Sequence, residues 1–249
     1  MTQLQIVILA GGLGKRMESS LPKVLHFVQD KPMCVHVLEK AIQLNPQHIY
    51  IVVGKYKEII QETIQKYISF DNLIYIDQEN PQGTGHALLC AKDELLKNNK
   101  KDKVLVLCGD VPLLSSTTMS KMVEETKSHS SLLTTTYDSP HGYGRIIINK
   151  DNLFQQIVEE KDCTEEQRKI KLVNGGVYCF QLGILCEYLP KITNQNSQHE
   201  YYLTDIFELF QTPSSVNMIY LQNGKVIGHN TDISGFELGI KYCLSLIHI

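Results

Sequence analysis

The chain has 249 residues, 43% hydrophobic and 20% charged, with a formal net charge of −3. These are ordinary values for a soluble α/β protein with a large core, and nothing in the charge balance points to nucleic acid. Seven cysteines, an odd number without zinc-like spacing, read as reduced thiols of a cytoplasmic protein; no signal-peptide pattern and no apolar run of membrane-spanning length is present.

The first element organises the rest. Ile6-Val7-Ile8-Leu9 is a run of branched apolar residues, the pattern of a central parallel strand buried on both faces. It runs through Ala10 into Gly11-Gly12-Leu13-Gly14, where missing Cβ atoms let backbone N–H groups approach an anion such as a polyphosphate. Lys15 and Arg16 follow, and Lys23 stands behind Pro22. The spacing excludes a P-loop, because Lys15 is followed by Arg16, and it excludes the dinucleotide fingerprint, whose third glycine position holds Met17. For the glycines alone, a plain strand-to-helix turn with solvated basic residues competes with the anion site.

Further along, apolar spacing predicts a helix over 33–44, ended by Asn45-Pro46. A buried strand over 48–53, a helix over 56–67 and a third strand over 73–77 follow. A helix over 83–96 and a fourth strand over 103–108 come next, the latter running into Gly109-Asp110-Val111-Pro112. This alternation predicts an α/β fold with a doubly wound, mostly parallel sheet, whose ligands sit beyond the carboxyl ends of the strands, where the Gly11 loop, Gln78 and Asp110 fall. The second half reads as strands over 131–137, 145–149, 154–160 and 172–180 with less regular helices. Asp162 and Glu165 have capping-box spacing. The expectation is one domain over 1–249: a nucleotide lobe to about residue 112, a smaller sugar lobe over about 113–232, and a terminal helix over 233–249. Leu244–Ile249 reads either as an apolar helix end or as the translated end of a sequencing adapter.

The segment L-A-G-G-x-G-x-R-M-x(4)-P-K resembles the signature of the sugar-nucleotide pyrophosphorylases, in particular those that make UDP-N-acetylglucosamine. The resemblance continues in family order through PKVLH (from Pro22), QGTGHA (from Gln82), GDVPLL (from Gly109), GYGR (from Gly142), EEKD (from Glu159), NGGVY (from Asn174), EYYLTDI (from Glu200) and GHNTD (from Gly228). It covers nearly the whole chain. It implies a Rossmann-like nucleotidyltransferase fold and Mg²⁺-dependent transfer between UTP and N-acetylglucosamine 1-phosphate.

By this resemblance Leu9, Ala10, Gly11, Gly12, Gly14, Lys23, Gln78, Gly83, Thr84 and Gly109 bind the nucleotide, with Gln78, Gly83 and Thr84 at the base and ribose. Gly144, Glu159, Asn174, Tyr202 and Thr204 hold the amino sugar. Arg16 suits the leaving pyrophosphate and Lys23 the α-phosphate. Asp110, in its tight turn after a strand, offers a hard oxygen to Mg²⁺, with Asn230 as its partner by resemblance. Taken singly, Asp110 reads as a turn former and Asn230 as a loop residue. Three departures stand out: Pro81 where many members carry glutamine, Lys15 where a small hydroxyl residue is usual, and Asp232 where a basic residue is common. His26, His36 and His86 read as packing or hydrogen-bonding histidines. Competing readings are a thymidylyl- or cytidylyltransferase acting on another sugar phosphate, such as glucose 1-phosphate, and an inactive sugar-nucleotide sensor. No acetyltransferase segment is expected, and both monomer and homo-oligomer remain open.

Overall fold

The computed structural model describes residues 2–12, 19–127, 130–150, 153–210, 216–222 and 225–228. Strand β1 (Leu4–Leu9) leads toward a short 3-10 turn (Lys23–Leu25) and a two-stranded hairpin, β2 (Phe27–Val28) with β3 (Lys31–Pro32). Then come α1 (Met33–Ile42), β4 (His48–Val53), α2 (Lys57–Tyr67), β5 (Leu73–Asp77), α3 (Thr84–Leu95) and β6 (Lys103–Cys108). The second half holds α4 (Ser116–Glu125), β7 (Ser130–Thr136), β8 (Arg145–Ile148), β9 (Phe154–Val158), α5 (Glu165–Arg168), β10 (Leu172–Gln181) and α6 (Leu182–Tyr188). A 3-10 helix (Leu203–Phe207) precedes β11 (Val216–Gln222) and β12 (Lys225–Gly228).

Apart from the hairpin, these strands make one sheet whose path is β12-β11-β7-β10-β6-β1-β4-β5, with β8 and β9 branching from β10. The four strands β6, β1, β4 and β5 are parallel. β10 runs antiparallel between β6 and β7, and β11 returns parallel to β7. Helices cover both faces, which is why β1 is apolar at successive positions. Val7 faces α3, packing in one core with Leu88 and Leu95. Ile6 and Ile8 face the other layer, with Val37 and Leu38 of α1 and Met119 of α4. A strand covered on both sides has no solvated face to encode.

The opposite, amino-terminal edge of the parallel strands carries a polar network. Buried Asp102 accepts from the Gln3 N–H at 2.9 Å and from Gln5 Nε2 at 3.2 Å. Gln5 Nε2 also donates to Gln47 Oε1 at 2.8 Å, and its Oε1 lies 3.1 Å from His48 Nδ1.

Several local expectations are corrected. The short helix α5 is capped by Thr164, not Asp162: Thr164 Oγ1 accepts from the Gln167 N–H, and Gln167 Oε1 accepts from the Thr164 N–H. Asp162 instead accepts from the Ser197 N–H. The β2–β3 hairpin and strands β11 and β12 have no counterpart in the sequence reading. The terminal helix expected over 233–249 lies outside the described residues, as do the proposed adapter-like end, Lys15 and Asp232.

Candidate active site

A cleft of about 550 Å³ opens beyond the carboxyl ends of β1 and β6. β1 passes the chain to β4 on one side while β6 lies on the other, so the loops diverge there and leave a crevice. Leu9, Gly11 and Gly12 form its floor. Ala10 is buried beneath, donating its N–H to Val52 O at 2.8 Å, and Gly109 donates to Leu9 O at 2.9 Å. Lys23, placed by the 3-10 turn behind Pro22, meets Asp110 after β6: Nζ to Oδ2 is 2.8 Å. Cys108 also lines the cleft. Burial and the Asp110 carboxylate push its thiol up to about 12, so it stays protonated, donating to Gly176 O at 3.5 Å.

The base side centres on Gln78, buried at the end of β5. Its Nε2 donates to Gly83 O at 3.1 Å and to His86 Nδ1 at 3.0 Å. A carbonyl can only accept, so this pair sets which way the amide faces. Oε1 is left as an acceptor on the cleft wall, with no donor to it among the described residues. Gly83, at φ +104°, is needed here: a Cβ would stand 2.5 Å from Tyr201 O. The 82–85 turn is laced to the 201–203 segment through Tyr201 N–H to Gln82 O at 2.7 Å and Gly85 N–H to Tyr201 O at 2.8 Å. Thr84, read from sequence as a nucleotide contact, lines the cleft and accepts from the Leu203 N–H at 3.1 Å.

On the sugar side, strand register brings distant residues to one level. Arg145 of β8 pairs with Val158 of β9 and with Val173 of β10. Their chain neighbours Gly144, Glu159 and Asn174 are therefore adjacent, and the Asn174 N–H donates to Gly144 O at 2.9 Å. Because β10 is antiparallel to β6, its first residues project past the carboxyl end of β6, which places Asn174 at the cleft end of the sheet. A bulge follows, with Gly176 at φ +70°; Asn174 Oδ1 accepts from the Gly176 N–H at 3.0 Å, and Nδ2 donates to Tyr178 Oη at 2.7 Å. One amide proton and one lone pair of Asn174 stay unused by these bonds. Glu159 accepts from buried Thr204 Oγ1 at 3.1 Å, and burial raises its pKa above the ordinary carboxylate value. Glu159 and Tyr202 form a wall between the main cleft and a second one of about 450 Å³ that includes Asp162, Asp205 and Glu208. Burial and these carboxylates push Asp205 up to about 7.

Of the expected residues, Lys23, Gln78, Gly83, Thr84, Asp110, Glu159 and Tyr202 share the main cleft with the Gly11 loop. Gly144, Asn174 and Thr204 stand behind or beside Glu159. Gly14, Arg16 and Asn230 lie outside the described residues. Val24, Ala87, Gln198 and Glu200 also line the cleft and were missed as contacts; Val24, Ala87 and Glu200 stand inside the PKVLH, QGTGHA and EYYLTDI segments, and Gln198 lies outside any motif. Pro81 is at the rim. His86 and His36 are hydrogen-bonded, the latter to Val28 O at 2.8 Å, while His26 Nε2 is buried with no hydrogen-bond partner among the described residues. No group of three or more His, Cys, Asp and Glu arranged for a metal occurs among the described residues. Likewise, none of the described helices is long and apolar enough to cross a membrane.

Residues 5–226 match the family model described as nucleotidyl transferase. The chain is 38% identical over 248 residues to a protein of Acanthamoeba polyphaga mimivirus named "Probable UDP-N-acetylglucosamine pyrophosphorylase", covering 98% of this chain and 95% of that one. It is 38% identical over 237 residues to the bifunctional protein GlmU of Clostridium acetobutylicum and 42% identical over 209 residues to that of Clostridium tetani. Those matches cover 94% and 82% of this chain but only 51% and 44% of the bifunctional proteins. In fold it resembles a UDP-glucose pyrophosphorylase solved with UDP-glucose, with a TM-score of 0.64, 19% identity, and coverage of 84% of this chain and 86% of that one.

Proposed function

Since the chain belongs to the nucleotidyl transferase family, we propose that it converts UTP and N-acetyl-α-D-glucosamine 1-phosphate to UDP-N-acetylglucosamine and diphosphate. The relatives' names support the substrates. The observation that carries the base is the orientation of Gln78. With both amide protons spent on Gly83 O and His86, it offers the cleft an acceptor only. The ring N3–H of uracil is a donor and suits that acceptor. N3 of cytosine is itself an acceptor and does not, which argues against a cytidylyltransferase.

In the reaction a sugar-phosphate oxygen attacks the α-phosphorus in line and diphosphate leaves, so the protein's task is positioning and charge neutralisation. Gln78 and the 83–84 turn orient the base. The Gly11 loop and Arg16 hold the triphosphate, and Glu159 and Asn174 accept and donate hydrogen bonds to the sugar. Lys23 supplies a point charge to the α-phosphate where negative charge gathers. The donor set at Asp110 fits Mg²⁺, which prefers few protein ligands and keeps waters and phosphate oxygens. Asp110 and Asn230 are the residues that would hold it. When bound, the ion neutralises phosphate charge.

The nucleotide is bound by residues up to about 112 and the sugar by about 113–232. A diphosphate-release assay over four nucleotides and several sugar 1-phosphates tests the reading. The expected best pair is UTP with N-acetylglucosamine 1-phosphate; a clear preference for dTTP or glucose 1-phosphate would replace it.

A further inference from the structure

We propose that Lys161 and Gln198 act as positioning residues that turn the Tyr202 hydroxyl proton into the cleft, making Tyr202 a donor to an acceptor oxygen of the sugar phosphate. The inference rests on the sugar-binding reading of this cleft. Lys161 Nζ lies 2.5 Å from Gln198 Oε1, and Gln198 Nε2 lies 2.7 Å from Tyr202 Oη. An ammonium has no acceptor, so the oxygen of the Gln198 amide faces Lys161 and its nitrogen faces Tyr202. The Tyr202 oxygen is thereby an acceptor in this bond, and its proton must point elsewhere. Tyr202 borders both clefts, but Gln198, whose amide its oxygen accepts from, lines the main one and not the second, so the hydroxyl lies on the main-cleft side. No described residue accepts the Tyr202 proton.

Two further features preorganise the arrangement. The loop bearing Gln198 is cross-braced: Asn196 Oδ1 accepts the Gln198 and Glu200 N–H groups at 3.2 Å each, and Asn196 Nδ2 donates to Glu200 O at 2.6 Å. The Asp162 carboxylate ties the Ser197 N–H at 3.0 Å, holding the Lys161 segment beside that loop. Burial and the nearby carboxylates also raise the Tyr202 pKa, so the group remains a neutral donor. A directed donor held before the ligand arrives costs no reorganisation when it binds.

Gln198→Glu is close to isosteric and reverses the direction: a carboxylate still pairs with Lys161 but accepts the Tyr202 proton, withdrawing it from the cleft. Steady-state kinetics of wild type, Gln198→Glu, Tyr202→Phe, the double variant, Lys161→Met and Lys161→Arg test this. Gln198→Glu and Tyr202→Phe should each raise KM for the sugar phosphate roughly tenfold, with less effect on kcat and on KM for UTP. The double variant should be no worse than Tyr202→Phe alone, because both remove the same bond. Lys161→Met should weaken sugar binding and Lys161→Arg restore it. A wild-type KM in Gln198→Glu, or additive losses in the double variant, would overturn the inference while leaving the activity intact. Turnover of a different sugar phosphate would correct the proposed substrate alone, with the variants then compared on that sugar. A wild type that uses no sugar phosphate would overturn both.

Discussion

Lys23 Nζ stands 2.8 Å from Asp110 Oδ2, the two side chains 27% and 23% exposed, bridging the 3-10 turn and the end of β6 across the cleft. The cation proposed for the α-phosphate and the carboxylate proposed for the metal thus neutralise one another in the free protein. About a quarter of each side chain still meets water, which screens the pair in part, so it contributes on the order of 1 kcal/mol and ligands can separate it at modest cost.

The first prediction follows from that pairing. Lys23→Ala should lower kcat about 10²–10³-fold with a modest change in KM, since its charge is needed most as the α-phosphate passes through its five-coordinate state. Its unfolding free energy should change by no more than about 1 kcal/mol. Kinetics and urea melts of the same preparation check both halves.

Chelation should abolish turnover, and added Mg²⁺ should restore it. Asp110→Asn should lose most activity while staying folded, because an amide is a weaker ligand for a hard cation. Full activity in this variant would remove Asp110 from the metal site.

Gly83→Ala should disturb both pockets at once. The residue sits at φ +104°, and an added Cβ would lie 2.5 Å from Tyr201 O, a backbone atom that cannot swing aside. A cost of about 1–3 kcal/mol is expected from backbone strain alone. KM values for nucleotide and for sugar phosphate should rise together, because Tyr201 adjoins Tyr202. A defect confined to UTP would mean that the turn contacts only the nucleotide.

Asp205 predicts a pH dependence with a definite sign. Its pKa rises from 3.8 to about 7 on folding, so between those values the native state holds a proton that the unfolded chain releases. The contribution of this group to stability therefore falls as pH rises from about 4 to about 7 and is level above that. Asp205→Asn should leave stability near pH 3.5 almost unchanged and raise it at pH 8 by about 1 kcal/mol or more, roughly 2–4 °C in Tm. Thermal melts across pH decide it, and destabilisation at pH 8 would contradict the assignment.

Asp102→Ala probes the far edge of the sheet. It leaves buried Gln5 short of one acceptor and removes the partly buried acceptor of the Gln3 N–H. Stability should drop by about 1–3 kcal/mol. KM values should not change, since the network lies at the opposite ends of the strands from the cleft.

The strands β4, β5 and β6 were legible to the residue because each is a short apolar run bounded by turn formers; burial on both faces demands that pattern in β4 and β6, and the half-buried edge strand β5 shares it. The same runs locate their own carboxyl ends, so Gln78 and Asp110 could be placed at one edge of the sheet before any tertiary contact was known. The chain order of the motifs likewise settled the family. What the tertiary structure alone decided are relations between residues remote in sequence. Thr84 meets Leu203 across 119 residues. Gly144, Glu159 and Asn174 become neighbours only through the register of β8, β9 and β10. Lys161, Gln198 and Tyr202 acquire a direction only because their side chains converge. A polar residue bound for a site and one bound for solvent have the same local signal. Strand register and hydrogen-bond direction arise when the chain closes on itself, so no window of sequence contains them.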